Sequence, residues 1–149
     1  MIKTPDQERE KLMRNSISIE QVAYHEAGHA LYYMMRGVVP DSIEVVDAGQ
    51  GMTITEPAID FGWSSLTQDF ILLAGTVAEH MYTGDLANTL SLVADGDIPS
   101  GAWSDFSKLS ETDPEVIVEM MLYLYDLFST ERWLVLSTVA EHLIQRRIL

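Results

Sequence analysis

The chain has 149 residues, no cysteine and a formal net charge of −14, and its length predicts a single domain that can bury a core without disulfide bonds. The lack of cysteine excludes disulfide frameworks and thiolate zinc sites, so any metal site must use histidine, aspartate or glutamate side chains. The strong negative charge argues against a nucleic-acid partner, because phosphate groups would be repelled.

Residues 1–17 are predicted to form an N-terminal arm, and residues 18–149 to form the domain. The first ten residues are polar and charged, so they lack the apolar stretch of a secretory signal. The chain also has no run of 18 uninterrupted apolar residues, so no membrane-spanning helix is expected. We therefore expect a soluble, cytoplasmic protein.

The first predicted helix covers residues 19–36. Ser18 is followed three residues later by Gln21, which is the pattern of a capping box at a helix N-terminus. Gly37 follows the last helical residue, and glycine readily adopts the left-handed conformation that ends a helix.

Two short β-strands are predicted next, at residues 42–47 and 52–55, with glycines in the turn between them. A second helix is predicted at residues 65–84, with Gln68 at a capping-box position. Gly75 lies inside this helix, which indicates close packing against a neighbour.

The second half of the chain is predicted to be helical. Further helices are expected at residues 86–94, from residue 104 or 105 onward, at residues 114–129 and at residues 131–147. The sequence thus predicts an α+β fold that is mainly helical, a helix bundle with one small β-sheet.

The first helix carries the clearest chemical motif, His25-Glu26-Ala27-Gly28-His29. A spacing of four residues places His25 and His29 on one helix face, one turn apart, where both imidazoles can bind one zinc ion. Glu26 can take a proton from a water on that metal and return it to a leaving amine. The motif predicts a zinc-dependent peptidase with Glu26 as its catalytic residue.

A catalytic zinc site needs a third protein ligand and one open position. The candidates with suitable side chains are Glu44, Glu56, Asp60, Glu79, His80 and Asp105. Glu79 lies on the second helix, and Asp105 follows a glycine-containing loop at the start of another. The residue pattern alone leaves the choice between Glu79 and Asp105 open.

Three blocks of the sequence resemble the FtsH-type (AAA membrane) zinc metalloproteases. The run A-Y-H-E-A-G-H-A-L at residues 23–31 looks like the zinc helix of that family. L-A-G-T-V-A-E at residues 73–79 resembles its L-G-G-R-A-A-E helix, and S-G-A-W-S-D-F at residues 100–106 resembles its T-G-A-S-N-D-L segment. The resemblance covers the peptidase domain of the family and nearly all of this chain.

The resemblance implies an FtsH-like, zinc-binding helix bundle in which Asp105 is the third zinc ligand beside His25 and His29. Glu79 then either supports a ligand from behind or faces the substrate. The family implies Zn²⁺ as the cofactor and a peptide or unfolded protein as the substrate, which would pair with one of the two predicted strands.

The sequence departs from the family in lacking the G-x-x-x-x-G-K-[ST] phosphate loop of an ATPase module. The expected function is therefore a metalloendopeptidase that does not hydrolyse ATP itself. It would work alone or with a separate ATPase partner. A homo-oligomer is a further possibility that the sequence leaves open. Residues 47–51 also replace the family's Pro-Arg-Gly-like stretch. The alternatives are a non-catalytic FtsH-like adaptor or inhibitor that keeps a metal site, and a purely structural zinc site.

Overall fold

The computed structural model describes residues 18–37, 42–45, 51–54, 64–99 and 101–146, with the two segments at 42–45 and 51–54 given by their backbone. The predicted N-terminal arm lies outside these residues. None of the helices in the described ranges combines the length and the hydropathy that a bilayer span requires.

Six helices and two strands make up the described chain. In chain order they are α1 Ile19–Met35, β1 Ser42–Val45, β2 Gly51–Ile54, α2 Ser65–Thr83, α3 Leu86–Ala94, α4 Trp103–Phe106, α5 Pro114–Phe128 and α6 Arg132–Arg146. β1 and β2 pair antiparallel, with Ser42 opposite Ile54. Apolar side chains from the long helices α1, α2, α5 and α6 form the core.

The predicted α+β class is wrong. Helices make up 77% of the residues described with their side chains, and none of those residues lies in a strand. The strands found near the predicted positions have four residues each and, among the described residues, form a two-stranded antiparallel pair beside α1. Two strands of that length cannot form a layer that covers a core, so the helices do so instead. The fold is all-helical in its body.

Two serine caps define where α1 and α2 begin. At α1 the predicted capping box is confirmed, because the Ser18 side chain accepts from the Gln21 backbone N–H and Gln21 reaches back to Ser18. At α2 the prediction is wrong by one residue, since Ser64 is the cap and accepts from the backbone N–H of Thr67.

Helices α1 and α2 approach each other closely because small residues line the contact. Ala74 and Ala78 of α2 are both fully buried and face Gly28 of α1. A Cβ added to Gly28 would lie 2.5 Å from the backbone oxygen of Ala74 and 2.7 Å from the Cβ of Ala78. Only glycine therefore permits this separation of the two helix axes.

Gly28→Ala is expected to lower the free energy of unfolding by about 1–3 kcal/mol, because the new methyl group overpacks a backbone contact that cannot rotate away. Urea unfolding followed by circular dichroism measures the change. In an unobstructed helix the same substitution would raise stability by about 1 kcal/mol through helix propensity. A stabilised Gly28→Ala protein would therefore contradict the close packing.

Candidate metal centre

His25 and His29 lie on the face of α1 that packs against α2. Their ring centroids are 4.8 Å apart and the ring planes meet at 73°. Both side chains are largely withdrawn from solvent, with exposed fractions of 12% and 9%. The predicted placement of the two imidazoles on one helix face is confirmed.

Asp105 reaches the same point from α4. Its Oδ2 atom lies 2.8 Å from His25 Nε2 and 3.2 Å from His29 Nε2. One ligand atom from each of the three residues falls within 4.8 Å of the others. Ligands of a tetrahedral zinc ion lie about 3.3 Å apart, given bond lengths of about 2.0–2.1 Å. The group His25, His29 and Asp105 could therefore hold a metal ion.

The far side of each imidazole ring has a partner of its own. His25 Nδ1 lies 2.9 Å from Glu79 Oε1, and His29 Nδ1 lies 2.7 Å from the backbone oxygen of Ile71. Both partners are acceptors, so each Nδ1 carries the proton and donates it. Such a partner fixes the ring and turns the lone pair of Nε2 toward a metal.

The position of Glu79 separates its role from that of Asp105. Asp105 lies on the Nε2 side that both rings share, whereas Glu79 contacts only the Nδ1 side of His25. Glu79 is 4% exposed. Of the two candidates that the residue pattern left open, Asp105 joins the metal group and Glu79 supports a histidine from behind.

The carboxylates make the centre attractive to positive charge. Burial lowers the pKa of His25, but the hydrogen bonds with Asp105 and Glu79 outweigh it and hold that pKa well above its usual value. Burial raises the pKa of Asp105, but the charge of His29 and the hydrogen bond with His25 bring it well below the usual range. A cation at the two Nε2 atoms, whether a proton or a metal ion, is thus stabilised.

Gly75 has no side chain, and the two Nε2 atoms lie where a Cβ at this position would be too close to them. A Cβ added there would lie 2.5 Å from His29 Nε2 and 2.7 Å from His25 Nε2. The close packing predicted for Gly75 is confirmed, and its neighbours are the two imidazoles themselves. The glycine on α2 is therefore a requirement of the metal group.

Glu26 is buried beside this group, with 6% of its surface exposed. Burial lowers the pKa of His29, while Asp105 and, to a smaller extent, the charge of Glu26 raise it. Glu26 directly follows His25 on α1, so it belongs to the same helical turn as the first of the two imidazoles. A buried carboxylate on that turn is the candidate for proton exchange with a molecule bound at the centre.

Asp69 on α2 was missed by the sequence analysis. Its carboxylate is 3% exposed and accepts from the backbone N–H groups of Ser110 and Glu111, at 2.9 and 3.0 Å. These two bonds tie the segment that follows α4 to α2 and so help to hold Asp105 in place. An aspartate next to Phe70 and Ile71 is the signal that could have revealed it.

Asp69→Asn is expected to weaken metal binding by up to about tenfold, the lower end of the effect of losing a group bonded directly to a ligand, because Asp69 acts on Asp105 only through the backbone of the segment that follows it. An amide offers one acceptor and places N–H donors against the second backbone N–H, so the segment holding Asp105 loosens. Competition with a chromophoric chelator measures the affinity. Asp97→Asn, an exposed substitution with the same change of charge, is the control. Equal affinity in the two variants would contradict the role of Asp69.

Of the remaining candidates for the third ligand, the structure describes only His80, which does not join the group. His80 is buried and its Nδ1 contacts Asp85 Oδ1 at 2.8 Å. Glu56 and Asp60 lie outside the described residues, and so does the side chain of Glu44.

No protein-family model matches this chain, and no curated protein matches it. The likeness to FtsH-type proteases therefore remains a prediction based on three blocks of sequence.

Proposed function

We propose that the chain is a zinc-dependent metalloendopeptidase of the FtsH type that hydrolyses peptide bonds in peptides or unfolded proteins. The observation that carries the proposal is the convergence of His25 Nε2, His29 Nε2 and Asp105 Oδ2 beside the buried Glu26. An H-E-x-x-H helix with a third, distant carboxylate is a typical arrangement of zinc peptidases.

The donor set fits a catalytic zinc ion. Two imidazole nitrogens and one carboxylate oxygen give three protein ligands, which leaves one position for water or substrate, whereas structural zinc sites use four protein ligands. Because Gly75 has no side chain, both imidazoles can lie against α2 with their Nε2 atoms near Asp105. Glu79, the candidate fourth ligand, is turned to the back of His25.

Each residue then has a defined task. A zinc ion bound there would supply the Lewis acidity that lowers the pKa of a water molecule and polarises a peptide carbonyl. Glu26 accepts a proton from the attacking water and passes it to the amine of the departing peptide. Glu79 and the Ile71 carbonyl hold the two imidazoles in the required tautomer.

Peptides and unfolded chains are the substrate class that we propose. The sequence given contains no phosphate-binding loop motif, so these residues offer no means to unfold a stable substrate with ATP. A separate ATPase that delivers unfolded chains would extend the range of substrates.

Removal of the metal is expected to abolish cleavage. The chain loaded with one zinc ion should degrade casein, lose this activity after dialysis against a chelator, and regain it with one equivalent of zinc. Cleavage that persists in metal-free protein would contradict the proposal. Zinc bound at one ion per chain without cleavage of any unfolded substrate would instead support the non-catalytic adaptor or inhibitor.

A further inference from the structure

The outer face of α5 carries two large apolar side chains between two carboxylates. The inner face of this helix consists of the buried residues Ile117, Met120, Met121, Leu124 and Phe128. Four exposed residues at helical spacing form the opposite face and are called the α5 patch: Glu119, Leu122, Tyr123 and Asp126. Leu122 is 44% exposed and Tyr123 is 53% exposed. The centre of the patch is thus apolar and open to solvent.

The apolar centre of the α5 patch has the features of a contact site. A single exposed apolar side chain is ordinary on a protein surface, whereas adjacent ones more often mark contacts with a partner. Leu122 and Tyr123 are adjacent, and the ring centroid of Tyr123 lies 5.3 Å from that of Phe70 on α2. The Tyr123 ring is therefore held in place before a partner binds, which lowers the entropy cost of binding. Tyrosine is also enriched among the residues that contribute most to the affinity of interfaces.

The charges at the two ends of the α5 patch determine which kind of partner fits it. Residues 109–131 contain six carboxylates and neither lysine nor arginine. Among the residues described with their side chains, Glu119 and Asp126 form no ion pair with a lysine or arginine. A second copy of the chain would place carboxylates against carboxylates, because both ends of the patch are negative and the chain has a net charge of −14. The charges therefore favour a basic partner.

We propose that the α5 patch binds a polypeptide segment in which two neighbouring apolar side chains are bracketed by lysine or arginine. The apolar pair covers Leu122 and Tyr123, and the two cations lie against Glu119 and Asp126. In a helical partner the cations are seven residues apart, which matches the separation of the two carboxylates along α5. The proposal does not depend on the metal or on peptidase activity. Because α5 carries neither the metal-binding residues nor Glu26, changes in the patch should leave casein cleavage unaltered.

Three peptides of equal length test the two parts of this recognition. The probe is acetyl-A-K-A-A-L-L-A-A-K-A-amide, and its two relatives carry glutamine in place of both lysines or serine in place of both leucines. In ¹H–¹⁵N shift mapping the probe should shift the amide signals of α5. Its affinity should exceed that of the glutamine peptide about threefold or more and that of the serine peptide about tenfold or more. A probe that binds no better than either relative, or that shifts only other helices, would overturn the proposal.

Two substitutions at exposed positions locate the contact without disturbing the core. Leu122→Ala should weaken binding of the probe about fivefold, and Leu134→Ala, at a more exposed leucine on α6, is its control. Asp126→Asn should weaken binding of the probe about two- to threefold but leave binding of the glutamine peptide unchanged. Its control is Asp97→Asn, which removes an exposed carboxylate outside the patch. Variants of the patch that bind the probe as tightly as their controls would refute the site.

Sedimentation velocity at increasing protein concentration tests a second copy of the chain as the other occupant of the α5 patch. The repulsion between like charges predicts that Leu122→Ala leaves the sedimentation coefficient unchanged at every concentration. An oligomer of the original chain that Leu122→Ala dissociates would overturn the proposal, because a second copy would then cover the patch.

Discussion

Glu26→Gln is expected to lower the rate of casein cleavage by about 10²–10⁴-fold while the protein still binds zinc. The amide keeps the size of the side chain but cannot accept the proton of the attacking water. In the proposed site His25, His29 and Asp105 would hold the metal without Glu26, so zinc affinity should change little. The measurement is the initial rate of casein cleavage with one zinc ion per chain, verified by metal analysis.

The matched control for this variant is Glu119→Gln, which removes one carboxylate from an exposed position on α5. It should cleave casein at the original rate. Thermal unfolding of both variants shows whether the loss of a buried charge has altered the fold. A Glu26→Gln protein that binds zinc and retains full activity would contradict the proposed mechanism.

Local features of the metal group could be predicted from the sequence. The spacing of His25 and His29 sets their shared face, because the helical period is fixed. The cap at Ser18 sets where that helix begins. Gly75 also signals close packing by its type alone, although the pattern does not tell that imidazoles are the neighbours.

The long-range features could not be predicted in the same way. Asp105 lies 76 residues after His29, and no local rule decides whether it or Glu79 faces the two Nε2 atoms. The family resemblance named Asp105, and the side of each imidazole ring that the carboxylate contacts gives the physical reason. Asp69 acts through the backbone of a distant segment, which leaves no trace in spacing.

The predicted α+β fold class is wrong for a related reason. The pattern that predicted strands at residues 42–47 and 52–55 says nothing about how many further strands join them. Gly28 of α1 and the buried Ala74 and Ala78 of α2 allow these two helices to approach closely, and the long helices form the core. A hairpin of two short strands is then an addition to a helical body and does not change its class.

Gly75→Ala is expected to weaken zinc binding about 10–100-fold, as the loss of ligand orientation does in other metal sites, and to abolish most of the cleavage with it. The new Cβ would lie 2.5 Å from His29 Nε2 and 2.7 Å from His25 Nε2, so both rings must rotate away from Asp105. In an active site, a displacement of the reacting groups by about 1 Å is enough to lower the reaction rate about 10²-fold. Chelator competition measures the zinc affinity, and casein cleavage measures the activity.

The fold should survive this change better than it survives Gly28→Ala. At Gly75 the new methyl group meets side chains that can rotate, and alanine favours the helix by about 1 kcal/mol. At Gly28 it meets the backbone of α2. Thr76→Val, at the next and fully buried position of α2, serves as the control and should bind zinc normally. If Gly75→Ala bound zinc as tightly as Thr76→Val, the two Nε2 atoms could not be the metal-binding atoms, because the methyl group would occupy the space beside them.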